Sequence, residues 1–315
     1  MNNNEKYGPL PRDSDPFTRR CRFLQSWYRV EVLKIPECGP WRPGGRRVGS
    51  SLIDGEASGA NFISPAAFAY AKRRVADRKD TKNNPDLTID EFRLFNNMLS
   101  SMPMCFNLFA DFRAALPANR ATCSRVLGAI FNTSPIRHVK DVVVEMIPEP
   151  LSDYIDDKTA WDAAVFFSDP DGHDGLASIE TKYTDKLGGN TAAKQDKKFR
   201  LAKELRVFRG DGLKWYEKQG FDQVARNLLL TIAYAQKHHL AHAKNYVLAP
   251  RNDKEAPKVV LELKSRLAPR YKESIESLPL ETLVERGIMC ADDFFSDHLT
   301  DFYRRYLDFD QIGHF

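Results

Sequence analysis

The chain has 315 residues, of which 42% are hydrophobic and 29% are charged, and it carries a net charge of +4. These values are those of an ordinary globular protein with enough apolar residues for a sizeable core. The five cysteines include no CxxC pair, which argues against a disulfide scaffold or a zinc knot and favours a reducing compartment. No apolar run reaches the length of a membrane span and no signal peptide is evident, so we expect a cytoplasmic protein.

Residues 1–85 are expected to form a helical and loop-rich arm, and residues 86–315 the main domain. Within the arm, residues 36–65 are crowded with Gly, Pro and Ser, which predicts a long surface segment. Apolar residues at helical spacing predict two helices around it: residues 17–34 and 66–78. Three arginines of the surface segment could contact a phosphate backbone: Arg42, Arg46 and Arg47. The alternative, a solvated arm packed over the core, is favoured at least as strongly.

The main domain begins with an expected helix over residues 87–112 that breaks near Pro103. Thr88 is its expected N-cap, and Glu91 three residues later completes a capping box. Periodicity and β-branched or aromatic runs predict the later elements. The helices are residues 118–131, 199–208, 221–238, 259–271 and 274–291, and the strands are residues 139–147, 161–167, 176–184 and 245–249. The central part of the chain therefore has the predicted order α–β–β–β–α–β.

Two of these strands, residues 161–167 and 176–184, carry the side chains of greatest chemical interest. Side chains on a strand alternate between its faces, so Glu180 and Lys182 share a face, and Asp162 on the preceding strand can lie beside them. Two carboxylates with backbone oxygens make a hard oxygen site suited to Mg²⁺. A metal there can polarise a phosphoryl oxygen and lower the pKa of a bound water. The amine can orient that water or stabilise developing negative charge.

The pattern Asp162…Glu180-x-Lys182 resembles the motif of the PD-(D/E)xK nuclease superfamily. The wider phrases AWDAA, IETKYTD and CFNLF resemble a bacterial, restriction-endonuclease-type branch of that superfamily. The chain departs from the motif at Trp161, where proline is usual, and from the branch at Met102, where glutamine follows the serine pair. The resemblance implies an α/β fold with a restriction-endonuclease-like αβββαβ core, a mixed central sheet flanked by helices. The helical and loop-rich N-terminal arm is added to this nuclease-like domain.

The resemblance also implies roles for individual side chains. Asp162 and Glu180 are expected to hold Mg²⁺, for which Mn²⁺ can substitute, and Lys182 is expected to position or activate water. Gln223, on the helix after the Glu-x-Lys strand, is expected to bind the attacking water or a phosphate oxygen. Attack in line with the leaving group would displace a 3′-oxygen and leave a 5′-phosphate.

Other polar residues have two interpretations each. Glu145, on the first predicted strand, is the expected further metal ligand, and Glu91 on the first helix is the competing candidate, although its capping role explains it equally well. Arg226 could contact a phosphate as a fork-shaped donor or lie on a solvated helix face. Asn107 could anchor a substrate phosphate, but a hydrogen bond within the core is favoured.

The activity implied by the resemblance is that of a Mg²⁺-dependent phosphodiesterase, specifically an endonuclease acting on double-stranded DNA. A role in bacterial anti-phage defence, with a homodimer or a defence-system protein as partner, follows from family analogy alone. Two alternatives stay open. The chain could be a nucleic-acid-binding module without cleavage, or an interaction subunit of a defence complex. The sequence does not decide between DNA and RNA.

Two other metal signals are set aside. His238 and His242 have the i, i+4 spacing of a zinc pair, but the glutamate of HExxH is missing. Asp169, Asp171 and Asp174 suggest calcium, but the loop lacks the glycine that an EF-hand needs at its sixth position. An aspartate-rich turn between two strands is therefore expected at this place.

Overall fold

The computed structural model of the protein describes residues 3–11, 13, 15–79, 89–185 and 195–313. Its centre is a mixed sheet of five strands in the order β1-β2-β3-β4-β5. The strands are β1 (His138–Met146), β2 (Trp161–Ser168), β3 (Asp174–Thr181), β4 (His242–Ala249) and β5 (Ile275–Pro279). The first three strands pair antiparallel, whereas β3, β4 and β5 run parallel to one another.

Helices cover both faces of this sheet. Along the described chain they are α1 (Asn3–Tyr7), α2 (Pro16–Trp27), α3 (Gly55–Ser58), α4 (Pro65–Lys79), α5 (Glu91–Asn96), α6 (Ser101–Ile130), α7 (Gln195–Glu204), α8 (Gly210–Gln219), α9 (Gln223–Lys237), α10 (Glu255–Arg266), α11 (Leu280–Cys290) and α12 (Asp293–Tyr306). A short π-helix, Tyr28–Val32, continues α2. The order α6-β1-β2-β3-α9-β4 confirms the predicted αβββαβ core. None of the described helices combines the length and the apolar character needed to span a membrane.

Alternation along the strands divides the apolar core into two layers. Val142, Val165 and Ile179 belong to the layer that also contains residues of α6, α11 and α12. Ala164 and Val247 face the opposite layer, which contains residues of α7 to α10. The predicted N-terminal arm also contributes apolar side chains to the first layer: Cys21, Leu24, Phe62, Ala67, Tyr70, Ala71 and Val75. Its boundary at residue 85 lies outside the described residues and stays a prediction.

The span α6 consists of two helices that meet at a kink, in agreement with the two helices that the sequence predicts here. The kink is at Asn119, where φ is −136° and ψ is 41°, two residues after Pro117. Proline removes a backbone donor and crowds the preceding turn, so the regular helix is interrupted here. The predicted break near Pro103 is found just before α6, since Ser100 caps the helix and Pro103 falls in its first turn.

Two predictions about where a helix begins are wrong. The helix predicted from Thr88 begins at Glu91, because the carboxylate of Asp90 is the N-cap that accepts from the backbone N–H of Arg93. Thr88 itself lies outside the described residues. The helix predicted over residues 274–291 starts at Leu280, because Ile275–Pro279 pairs in parallel with β4 as β5. Pairing with a neighbouring strand overrides the local helical pattern.

Candidate active site

Strand register places three carboxylates in one row across the sheet. Glu145 of β1 stands opposite Asp162 of β2, and Glu180 of β3 follows on the other side of Asp162. Glu145 and Asp162 lie between the strand pairs Val144–Ala163 and Met146–Trp161, and Glu180 follows directly after the pair Ala163–Ile179. Side chains that lie directly opposite each other on antiparallel strands share a face. Three acidic groups from distant parts of the sequence are thus brought to one place.

Asp162 is the half-buried member of the row. Its Oδ2 accepts from the Thr181 backbone N–H at 2.6 Å and from the Thr181 hydroxyl at 2.8 Å. Its Oδ1 accepts no hydrogen bond from any described residue. Burial raises the pKa of this carboxyl, and the Lys182 ammonium and the Thr181 hydrogen bonds offset only part of that effect. Asp162 therefore offers one fixed oxygen and one oxygen that a ligand can take.

Glu180 is fully buried beneath Asp162. Its Oε1 lies 2.7 Å from the Lys182 ammonium, and its Oε2 accepts from the side-chain amide of Asn227. Burial, followed by repulsion from Asp162, raises the pKa of Glu180 from 4.5 to about 7. A buried carboxylate beside a second carboxylate needs a cation, and Lys182 supplies one positive charge.

Lys182 follows the last residue of β3, and its side chain is 6% exposed. Burial lowers the pKa of the amine, but Glu180 and Asp162 more than offset this, so the pKa stays above its ordinary value. The ammonium also donates to Gln223 Oε1 at 3.1 Å. Lys182 is therefore a charged donor in this structure, held between the carboxylates and α9. Such a group can stabilise negative charge on a phosphate.

Glu145 has an unusual backbone. Its φ is +55°, a backbone conformation that residues other than glycine rarely adopt. The guanidinium group of Arg74 donates to the backbone carbonyls of Val144 and Glu145, at 3.1 and 2.7 Å. Burial raises the pKa of its carboxyl well above the ordinary value, with repulsion from Asp162 and Glu180 adding to it. Glu145 thus belongs to the electrostatic environment of the row. Its place as a metal ligand stays a prediction, as does that of Glu91 in the first turn of α5.

Asn107 and Arg226 are two further polar residues for which the sequence leaves two interpretations open. Asn107 is buried and bonds within the core: its Oδ1 accepts from the Ile63 N–H, and its Nδ2 donates to Tyr306. Arg226 is also buried, and it donates to the Phe221 carbonyl, so the interpretation as a solvated helix face is wrong. Arg226 lies in a stretch of α9, from Val224 to Ala233, in which every residue is buried.

The sequence analysis assigns no role to Asn227 and Thr181, whose side chains contact Glu180 and Asp162. Asn227 lies four residues after Gln223 on α9, so both amides face the β3 strand. That spacing is a signal that could have identified Asn227. Thr181 occupies the variable position of Glu-x-Lys, and only the structure shows that its hydroxyl and N–H fix Asp162.

A second acidic group lies at the β2–β3 turn. Among the described residues, Asp169, Asp171 and His173 form the one trio of potential ligands whose atoms all lie within 4.8 Å of one another. The Asp169 carboxylate is already occupied, because it accepts from two backbone N–H groups of the turn and contacts His242 Nε2 at 2.8 Å. These bonds hold its pKa well below the ordinary value, the contact with His242 having the largest effect. An aspartate-ordered turn agrees with the prediction.

The row of Glu145, Asp162 and Glu180 is wider than that trio, since its three carboxylates do not all approach within 4.8 Å. Asp162 and Glu180 nevertheless fit a divalent cation. Both are hard oxygen donors, Oδ1 of Asp162 is free of described donors, and the pKa values of both carboxyls are raised. A cation would offset the cost of burying these two charges, which is the main reason that both pKa values are raised, and the repulsion of Glu180 by Asp162.

The His238–His242 pair does not form a zinc site on one helix face. His238 caps the end of α9 and contacts the Tyr154 hydroxyl at 2.9 Å, whereas His242 begins β4. The turn between them, with φ of +53° at His239, breaks the helical spacing. The interpretation that these histidines are not an HExxH-type zinc pair agrees with the structure.

The αβββαβ core, a mixed sheet flanked by helices that brings two carboxylates and a charged lysine together, is a fold of the restriction-endonuclease-like class. A sequence model of the PD-(D/E)XK nuclease superfamily matches residues 11–308, nearly the whole chain. The chain therefore belongs to the PD-(D/E)XK nuclease superfamily. Neither a curated protein nor a solved structure matches it.

Proposed function

We propose that the chain is a Mg²⁺-dependent endonuclease that hydrolyses phosphodiester bonds of double-stranded DNA. The observation that supports this most strongly is the convergence of Asp162, Glu180 and Lys182 on adjacent strands, with 2.7 Å between the Glu180 carboxylate and the Lys182 ammonium. Asp162 and Glu180 would hold the ion, and Glu145 would add a third carboxylate to the same field. When bound, a divalent ion polarises a phosphoryl oxygen and lowers the pKa of a coordinated water.

The protein side chains have separate tasks in this proposal. Thr181 fixes one oxygen of Asp162, which leaves the other directed to a ligand. Lys182, held protonated by its two acidic neighbours, stabilises the negative charge that grows on the phosphoryl group. Because the Gln223 oxygen accepts from Lys182, its NH₂ group is left to orient the attacking water or a phosphate oxygen.

A second function is favoured by one specific observation. Glu180 is sealed from solvent. Its Oε1 is ion-paired with the Lys182 ammonium, although it accepts no hydrogen bond from a described residue, and its Oε2 accepts from Asn227. A nucleic-acid-binding module that has lost cleavage could keep such an arrangement as a structural ion pair. In that case Met102, where the related branch has glutamine, would mark the loss of a polar contact. Such a module would serve as the interaction subunit of a defence complex.

Cleavage assays on a substrate panel separate the two functions. Double-stranded DNA, single-stranded DNA and RNA are incubated with the parent protein in Mg²⁺, Mn²⁺ or EDTA, and the ends are tested for 5′-phosphates. We expect metal-dependent internal cuts in double-stranded DNA that Asp162→Ala, Glu180→Ala and Lys182→Ala each abolish. Lys258→Ala, on the exposed surface of α10, is the control. Equal cutting by the site variants would refute the roles, and binding without cutting would favour the second function.

The biological setting is proposed on family analogy. Cleavage of foreign DNA in anti-phage defence, in the cytoplasm, with a homodimer or a defence-system partner, agrees with a nuclease of this superfamily. Phage plating on cells with the parent gene or the Asp162→Ala gene tests it. Equal plating efficiency on both would count against a defence role.

A further inference from the structure

A cavity of about 520 Å³ lies between α4, α6 and the beginning of β1, outside the row of carboxylates. Four of its lining residues are cations and one is an acid: Arg73, Arg113, Arg120, Lys140 and Asp141. The apolar part is made by small or buried side chains, among them Ala69, Ala114 and Tyr70. The volume is within the range of ligand sites in proteins. The excess of guanidinium groups indicates an anionic ligand.

Two of these cations have no carboxylate partner within the described parts of the chain. Arg73 is exposed and makes no hydrogen bond or ion pair with a described residue. Arg120 donates only to backbone carbonyls, those of Val139 at 2.7 Å and Lys140 at 3.2 Å. By contrast, Arg113 is paired with Asp141 at 2.7 Å, and Lys140 is paired with Asp174. The cavity therefore keeps uncompensated positive charge.

Arginine contacts to the backbone of β1 lead from the cavity towards the carboxylate row. β1 is an edge strand, and three arginines donate in succession to carbonyls along it. Arg120 contacts Val139 and Lys140, Arg113 contacts Val142 at 2.5 Å, and Arg74 contacts Val144 and Glu145. Since successive contacts are two to three residues apart, the guanidinium groups follow the strand at intervals of about 7 to 10 Å. The last of them holds Glu145, which belongs to the row.

The three arginines could serve only to cover the free edge of the sheet. An uncovered edge exposes backbone groups that can pair with another chain, so this role alone would explain their contacts to the carbonyls. That reason does not extend to Arg73, which bonds to no described carbonyl. It also does not explain an open cavity beside the covered edge. A ligand that carries several phosphates along one line accounts for both features.

We propose that the cavity, through Arg73 and Arg120, binds the phosphate backbone of the substrate strand beyond the phosphodiester that is cut. Arg113 and Arg74, which are paired with Asp141 and Asp77, line the path along β1. The inference rests on the proposed function, since it takes the substrate to be nucleic acid. From Lys140 to Glu145 the strand advances five residues, which is about 17 Å. The contacts are to phosphates, so they add affinity without sequence preference.

Arg73→Glu is the test, because it removes a cation with no described partner and leaves the edge contacts intact. Lys258→Glu on α10 is the matched control, because it makes the same change of charge. The sequence context also matches: Asp77 lies four residues after position 73, and Glu262 lies four residues after position 258. Ala69→Trp fills the cavity without changing charge. Binding of labelled single- and double-stranded oligonucleotides is measured by anisotropy in EDTA, over about 50 to 200 mM salt.

We expect Arg73→Glu to weaken oligonucleotide binding roughly fivefold to tenfold at the lower salt and to reduce the salt slope by about one. Ala69→Trp should weaken it as well, and Lys258→Glu should change it by less than about twofold. Equal binding by the parent and Arg73→Glu, or equal losses in Arg73→Glu and Lys258→Glu, would overturn the proposal. Melting curves check that each variant is folded.

Two further arms identify the source of the phosphates and separate this inference from the proposed function. If a free nucleotide binds the parent but not Arg73→Glu, while oligonucleotide binding is unchanged, the ligand is a nucleotide and the strand assignment is wrong. If the parent cuts DNA and Arg73→Glu cuts with an unchanged KM, only this inference fails. A parent protein that neither binds nor cuts nucleic acid would remove both.

Discussion

Replacing Glu180 by glutamine is expected to stabilise the metal-free protein at alkaline pH. In the folded state the pKa of Glu180 is raised from 4.5 to about 7, by burial first and then by Asp162. A raised carboxyl pKa means that folding favours the protonated form, so stability is lost as pH rises from about 4.5 to about 7. A tenfold change in the acid dissociation constant corresponds to about 1.4 kcal/mol. The ionised group therefore costs about 3 kcal/mol at pH 8 and less than about 1 kcal/mol at pH 5.

Urea unfolding in EDTA measures this cost. Glu180→Gln should be more stable than the parent by up to about 3 kcal/mol at pH 8, and the difference should shrink below about 1 kcal/mol at pH 5. Glu217→Gln, at an exposed position of α8, is the control and should change little at either pH. A variant that is less stable than the parent at pH 8, or a difference that does not vary with pH, would refute the reasoning.

Adding metal should reverse the order. A ligand that binds only the folded state stabilises it by about 2.7 kcal/mol at a hundred times its dissociation constant. The parent should gain this stability with Mg²⁺, and Glu180→Gln should gain much less because one carboxylate is gone. An equal gain in both proteins would place the metal elsewhere.

Three other changes test separate parts of the structure. Lys182→Met should reduce the rate of DNA cutting by at least about 100-fold, because it removes the charged donor beside the phosphoryl group, and single-turnover kinetics measure the loss. Gln223→Ala should reduce the same rate by roughly tenfold, since only one hydrogen bond to a charged group is lost. Gly175→Ala should lower the free energy of unfolding, measured in urea at neutral pH, by about 1 to 3 kcal/mol, because its Cβ would lie 2.3 Å from the Phe167 ring. Unchanged stability of Gly175→Ala, or site variants that cut as fast as the parent, would be the contrary result.

Local periodicity predicts much of the core correctly. The order αβββαβ is confirmed, and alternation along the predicted strand of residues 176–184 correctly places Glu180 and Lys182 on a common side, where they form an ion pair. These features depend on residues close in sequence, for which the strand period is enough. Because position along a strand fixes the direction of each side chain, the sequence alone predicts which charged residues of the row share a face.

The features that were missed depend on contacts between distant residues. β5 exists because β4 offers it a parallel partner, and neither strand's own sequence reports that pairing. The positive φ at Glu145 is supported by Arg74, which lies 71 positions earlier in the chain. Arg226 has the sequence context of a surface residue, yet the fold buries it near Phe221. Tertiary contacts decide such positions, and single-sequence patterns do not contain them.

The proposed activity depends on a divalent ion that Asp162 and Glu180 hold beside Lys182. Anomalous diffraction from crystals of the parent protein grown with Mn²⁺ tests it most directly, with Asp162→Ala crystals as the control. We expect an anomalous peak within coordination distance of both carboxylates, about 2 to 2.3 Å, and we expect it to be absent from the variant. A peak only at the turn of Asp169, Asp171 and His173, or a peak at Asp162 that survives its replacement, would contradict it.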